Sequence, residues 1–359
     1  RKNLPLKKVL MYTKSRQTNN NSTTDLSAEF ILPLPGDTIE KHYDSLRYAV
    51  DTIEASRIDI HQLYLVHGTE MNDPGIIKKY KMDIRHRVYD SAYGIYDVGD
   101  VRVPSAEINN IVVGNSTLSF EEYIECRIMN LLVKIFIDHD PFREALGFVR
   151  RLNLSVFDLL ITLKKSIIPK YDSLSKLIAE FVEKTKKPIY KNIKELEVYL
   201  SKKETTKEIS LGKLRGNELL SCKTKAFMEC NDDLHNALNE SILSNLRKHD
   251  LLTLENEDYL NQAIKFSHLR KFDMHNVNKV KYAEFTYDFV LASKAGYQVD
   301  PNKMKIEKTK FKSSHDDKTL DYIKKRIDLY GKDKIYQIGR MFQRTNMEVM
   351  SRKIYKLNL

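Results

Sequence analysis

The sequence predicts an α/β fold at its start and a mostly helical one beyond, and three observations carry that prediction. A nearly continuous apolar run, Leu26–Leu34, has the length of a strand. After it, Ile39, Tyr43, Leu46, Val50 and Ile53 recur at spacings of four and three, one face of a helix. Ile58–Val66, reading IDIHQLYLV, then makes a second strand of similar length. Strand, helix and strand form a βαβ unit, whose strands run parallel through a right-handed crossover. Apolar strands of this kind are normally covered on both faces.

The other elements follow in order. Leu4–Arg16 carries helical spacing, and the polar stretch QTNNNSTTD after it reads as a loop. Asp37 or Thr38 caps the crossover helix, and Glu40 adds favourable charge to its first turn. Past Gly68 the pattern predicts loops, a short helix near Pro74–Lys79 and a strand around Glu107–Val113. Ser119 with Glu122 three residues later forms a capping box, and apolar residues then occupy several faces as far as Ile137. Helical patterns continue over Pro141–Leu152, Ser155–Leu163, Ser173–Lys184, Lys191–Lys203, Asp233–His249 and Glu257–Leu269. Tyr282–Leu291 and Lys303–Phe311 suit strands, and Thr319–Leu329 and Lys334–Arg344 suit two closing helices. The expected division is residues 1–115, 116–270 and 271–359, with no internal repeat.

Bulk properties narrow the function classes. At 359 residues the chain suits two or three domains, and its 42% hydrophobic and 30% charged residues suit a globular protein. No stretch is long and apolar enough to span a bilayer, and no signal peptide is visible, so the cytoplasm is the default location. A net charge of +11 attracts polyanions. The cations are interleaved with acids and lack repeated aromatic neighbours, so nucleic acid is the less favoured partner. Cys126, Cys222 and Cys230 make an odd number at spacings that suit neither a disulfide framework nor a zinc site, and they read as structural. Asp138, His139 and Asp140 are candidate metal ligands, but neighbours at a helix end point in different directions, and a capping role is the better reading. Met82, Met129 and Met228 read as core.

Parallel βα units carry their functional loops at the carboxyl ends of the strands. Two such ends are present, PLPGDT (Pro33–Thr38) and HGTEM (His67–Met71), and both should emerge side by side on one edge. Pro35 fixes φ and Gly36 permits a conformation that other residues resist, so the first turn is rigid. The plain alternative is a tight βα corner with a cap.

EFILPLPGDT, followed by a helix and then YLVHGTEM, resembles the loops of radical S-adenosylmethionine (SAM) enzymes. The likeness is strongest to those fused to a cobalamin-binding domain and to coproporphyrinogen-oxidase-like and methylthiotransferase-like relatives. YKMDIRHR (80–87) resembles the basic segment that often follows. The resemblance covers about residues 1–115 and implies the C-terminal half of a (β/α)6 partial barrel, followed by a mostly α-helical region. In that family a 4Fe–4S cluster, held by C-x-x-x-C-x-x-C, cleaves SAM reductively to a 5′-deoxyadenosyl radical that abstracts hydrogen from a substrate. Carried onto this chain, Ile31, Pro33, Leu34, Pro35 and Gly36 pack near the adenosyl group, and Gln62, Tyr64 and Leu65 line the same pocket. His67 and Thr69 are candidate substrate contacts, as are Arg85 and Arg87, which could hold a carboxylate or phosphate or simply make surface salt bridges. Asp37 and Thr38 are expected to cap rather than to touch SAM.

Three departures qualify the resemblance. Pro33 stands where the family has glycine, and His67 where many relatives have proline. No C-x-x-x-C-x-x-C occurs, although iron–sulfur clusters require thiolates. The chain begins at Arg1 rather than methionine, so the expectation is the C-terminal portion of a longer or split protein. The cluster ligands would then come from an N-terminal segment or a separate subunit, and the electron from a flavodoxin or ferredoxin. Cobalamin is open for the full-length protein. The competing class is a non-catalytic, basic, helical binding protein associated with nucleic acid.

Overall fold

The computed structural model describes residues 26–202, 204–205, 217–345 and 347–357, so the expected helix at Leu4–Arg16 lies outside the described residues. Strands β1 (Ser27–Leu32) and β2 (Arg57–Gln62) pair in parallel, Ser27 opposite Arg57 through to Leu32 opposite Gln62. The crossover helix α1 (Ile39–Arg47) starts at Thr38, whose hydroxyl accepts from the Lys41 N–H. It widens into a π-helical turn over Tyr48–Ile53 and stops at Glu54, which is left-handed with φ 53°.

The faces of this pair differ from the sequence expectation. Ala28, Phe30, Leu32, Ile58 and Ile60 join the main hydrophobic core with Leu46, Ala49 and Val50 of the crossover. The alternate residues Ser27, Glu29, Ile31, Arg57 and His61 are exposed. One face of a parallel pair is therefore open among the described residues, where both are ordinarily covered.

Beyond Gln62 the chain changes partner. The Leu63 N–H still donates to Leu32 O at 2.9 Å, but Leu65 N–H donates to Asn110 O and Val112 N–H to Leu63 O, each at 2.9 Å. These bonds join the chain antiparallel to β4 (Val101–Gly114), which forms a long hairpin with β3 (Asp83–Val98). Helix α2 (Pro74–Tyr80), capped by Asp73 with Pro74 in its first turn, covers a small separate core of Leu63, Leu65, Met82 and Val112. The architecture is mixed α/β with small sheets, and no closed barrel forms among the described residues.

Helix α3 (Phe120–Phe136) is the axis of the helical region. Its capping box forms as expected, and burial on several faces follows from its all-round apolar sequence. Around it stand α4 (Arg143–Arg151), α5 (Val156–Thr162), α6 (Asp172–Lys186), α7 (Ile193–Leu200), α8 (Glu218–Glu229), α9 (Asn231–Lys248) and α10 (Leu254–Arg270). The third part is an antiparallel sheet in the order β5 (Lys281–Tyr287), β6 (Lys305–Ser314), β7 (Lys353–Lys356). The short helix α11 (Phe289–Ser293) and helices α12 (Asp317–Tyr330), α13 (Ile335–Gln343) and α14 (Met347–Met350) accompany it. One hydrophobic core runs through all three parts, from Leu32 to Phe311.

The second and third parts meet at Gly147. A Cβ there would lie 2.6 Å from Gly296 O and 2.7 Å from Tyr297 Cβ. Alanine is the better helix former by about 1 kcal/mol, but backbone must move to admit it. Gly147→Ala is therefore expected to destabilise by roughly 1–3 kcal/mol, read as a lower urea midpoint at unchanged slope. A rise in the midpoint would mean that the 296–297 corner gives way freely.

Candidate functional site

The two βα corners emerge next to each other, because β1 and β2 are parallel neighbours. The first is a closed turn. Asp37 N–H donates to Leu34 O at 3.0 Å, Gly36 takes φ 83°, and Leu34 N–H donates back to the Asp37 carboxylate at 2.6 Å. Pro35 before a glycine at positive φ is the chemistry of a type II turn. Lys41 Nζ donates to Gly36 O at 2.9 Å, Asn115 Nδ2 to Leu34 O at 2.9 Å and the Thr117 hydroxyl to Asp37 O at 2.6 Å. These carbonyls are occupied, so what the corner presents outward is chiefly the Leu34 side chain. The peptide entering Pro33 is cis, and Pro33 itself is buried.

The second corner is looser. Thr69 closes it by donating its hydroxyl to Val66 O at 2.7 Å, and Gly68 takes φ 80°. His67 and Thr69 are exposed, with Asn72 Nδ2 3.4 Å from His67 Nδ1. Together the strand ends show four exposed apolar side chains, Ile31 at 46%, Leu34 at 37%, Tyr64 at 36% and Val66 at 58%. On a face where polar residues cost less, such exposure marks a surface built to be covered.

The structure divides the expected site residues. Ile31, Leu34 and Tyr64 are exposed at the strand ends, with Pro35 and Gly36 in the turn between β1 and α1. Leu65 is in the small core beneath α2. Gln62 is directed into the helical layer, where its Nε2 donates to Tyr123 OH at 2.6 Å and its Oε1 accepts from Arg87 at 3.0 Å. Arg87 is buried and lies 3.8 Å from the Glu218 carboxylate, which accepts from Arg127 at 2.5 Å. Arg85 grips Asp83 through two bonds of 2.9 and 2.8 Å and lies 4.9 Å over the Phe120 ring. The arginines are thus engaged by protein partners. Sequence reasoning passed over His61, which pairs in register with Ile31 on the open face. Strict alternation along β2 would have selected it in place of Gln62.

Metal-ligand chemistry finds no support in the donor set. No group of three or more His, Cys, Asp or Glu side chains is placed to hold a metal among the described residues. Asp138 instead accepts from Lys223 at 2.7 Å and from Ile58 N–H at 3.0 Å. Burial pushes the Cys126 and Cys222 thiols up to about 12 and raises that of Cys230, the opposite of what a thiolate ligand needs. The cysteines do not fit a cluster and serve as core residues, and no described helix is long and apolar enough to cross a membrane.

No protein-family model matches this chain, and no curated protein matches it.

Proposed function

We propose that the βαβ unit forms the SAM- and substrate-facing wall of a radical SAM active site, completed by a polypeptide that carries the cluster cysteines. The observation that carries this reading is the open face of the parallel pair, ending in exposed Ile31, Leu34, Tyr64 and Val66. In a closed barrel such a face is the lumen, while the helix-covered face is the outside. In this reading Ile31, Leu34 and Tyr64 cover the adenosyl group, and Glu29 and His61 on the same face address the substrate. SAM, when bound, supplies the hydrogen-abstracting radical. This chain's share is binding, orientation and exclusion of water, because its cysteines do not fit the cluster.

The test is anaerobic reconstitution, with iron and sulfide, of the chain joined to whatever the DNA directly upstream encodes. SAM and a strong reductant are then added and 5′-deoxyadenosine is measured. Leu34→Asp is expected to cut the product by about tenfold or more, since a carboxylate would be buried against an apolar ligand. Cluster absorbance without 5′-deoxyadenosine would remove the enzymatic reading. Wild-type turnover in Leu34→Asp would remove the strand ends from the site.

A further inference from the structure

The C-terminal strand and helices α4, α10 and α12 line a crevice of about 730 Å³. Its cationic lining residues are Arg143, Arg270, Lys318, Arg352 and Lys353, and among the described residues no Asp or Glu lines it. Two of these charges are compensated from behind, Arg270 by Glu144 and Lys353 by Asp316. Arg352 is different. It is 1% exposed, and its terminal nitrogens donate to the carbonyls of Lys279 and Asn276. Its Nε has no partner, and no carboxylate stands within ion-pair distance among the described residues. Asp273, which acts on it from farther away, is occupied with the backbone N–H groups of His275 and Asn276. A buried guanidinium without a counter-ion is costly, and the cost falls when an anion is bound nearby.

The rest of the lining suits an anion with an organic body. Lys318 is exposed and free to reorient, in the first turn of α12. Asp316 caps that helix and is held by Thr319 N–H at 2.8 Å and by Lys353, with Asp317 exposed in the first turn beside Lys318. Tyr322, Tyr355, Val290 and Val349 supply aromatic and apolar wall. The volume far exceeds that of a bare inorganic ion, and a low-dielectric cleft of one sign focuses its field on the ligand.

We propose that this crevice binds an organic phosphate, its phosphate beside Lys318 in the field of the buried Arg352 and its body against Tyr322 and Tyr355. A dianion gains more from a field of one sign than a singly charged carboxylate does.

Calorimetry on the intact chain tests this with adenosine monophosphate, inorganic phosphate and adenosine as probes. The monophosphate is expected to bind, more weakly as salt rises, and adenosine not to. Lys318→Glu, at an exposed position, should weaken binding about tenfold or more with an unchanged circular dichroism spectrum. Tyr355→Ala should weaken the monophosphate and leave inorganic phosphate unaltered. Absence of binding by either phosphate, equal binding of adenosine, or full affinity in Lys318→Glu would overturn the assignment.

Discussion

Asp138→Ala is expected to cost roughly 3–5 kcal/mol of stability, because it strands a buried lysine. The Asp138 side chain is 1% exposed and that of Lys223 6% exposed, with 2.7 Å between Oδ2 and Nζ. Lys134 Nζ lies 2.9 Å from the same oxygen and retains Asp59 at 3.1 Å, so Lys223 is the group left unpaired. Oδ1 accepts from Ile58 N–H at 3.0 Å, which ties the amino end of β2 to the helical layer. Asp138→Asn keeps that acceptor and should lose less, and Asp138→Leu with Lys223→Met should recover most of the deficit. The pH dependence has a definite sign. Burial alone would raise the Asp138 carboxyl, but Lys223 and Lys134 outweigh it and hold the carboxyl well below the usual range. The folded value is lower than the unfolded one of about 3.9, so the stabilisation is complete above that pH and fades as pH falls below it. Urea midpoints across the acid limb should flatten in Asp138→Asn. An unchanged limb would show that water reaches the pair.

Much of the fold was legible because local and tertiary signals agree. The crossover helix has its apolar stripe at 3.6-residue spacing and a threonine at its cap, and β1 and β2 bracket it at strand length. The Ser119–Glu122 box likewise needs only local geometry. Where the signals diverge, the sequence misleads. Helix α8 buries Lys223 and Thr224 as well as Cys222, so its apolar period is broken by side chains whose partners lie far away in sequence. The β3–β4 hairpin leaves Tyr96, Val98, Val101 and Val103 exposed, and its register shifts between Val88 and Tyr93, which hides the alternation. The helical end of the stretch expected as a strand over Tyr282–Leu291 forms because Asp288 caps it, accepting from Leu291 N–H at 2.9 Å.

The candidate site was legible to the same depth. Alternation predicts which strand residues share a face, and it groups Ile31 with His61. It does not reveal that the shared face is open, since an apolar strand reads the same whether one face is buried or two. Nor does spacing tell a surface arginine from one that closes a distant network. Arg85 and Arg87 stand two apart on β3, and the first pairs with a neighbour whereas the second pairs across the fold.

The network around Arg87 yields the second large effect, Glu218→Ala, expected to destabilise by roughly 3–5 kcal/mol. Glu218 is 7% exposed and Arg127 4%, and they are 2.5 Å apart. Without the carboxylate, Arg127 is a buried charge left over the Phe181 ring at 5.6 Å with no carboxylate within ion-pair distance among the described residues, and Arg87 loses one of its partners. The carboxylate is held low for the same reason: burial would raise it, and Arg127 and Arg87 reverse the shift. Four elements meet here, Gln62 on β2, Arg87 on β3, Tyr123 and Arg127 on α3, and Glu218 on α8. The loss should therefore appear as faster amide exchange in β2 and β3 as well as a lower urea midpoint. Glu218→Gln should retain part of the bonding and lose less. The same geometry separates two roles for Gln62. If it serves this network, Gln62→Ala lowers stability, whereas a residue of the proposed SAM pocket would lower SAM affinity instead. Since Gln62 bonds to Tyr123 and Arg87 on the covered side of the sheet, the first outcome is expected.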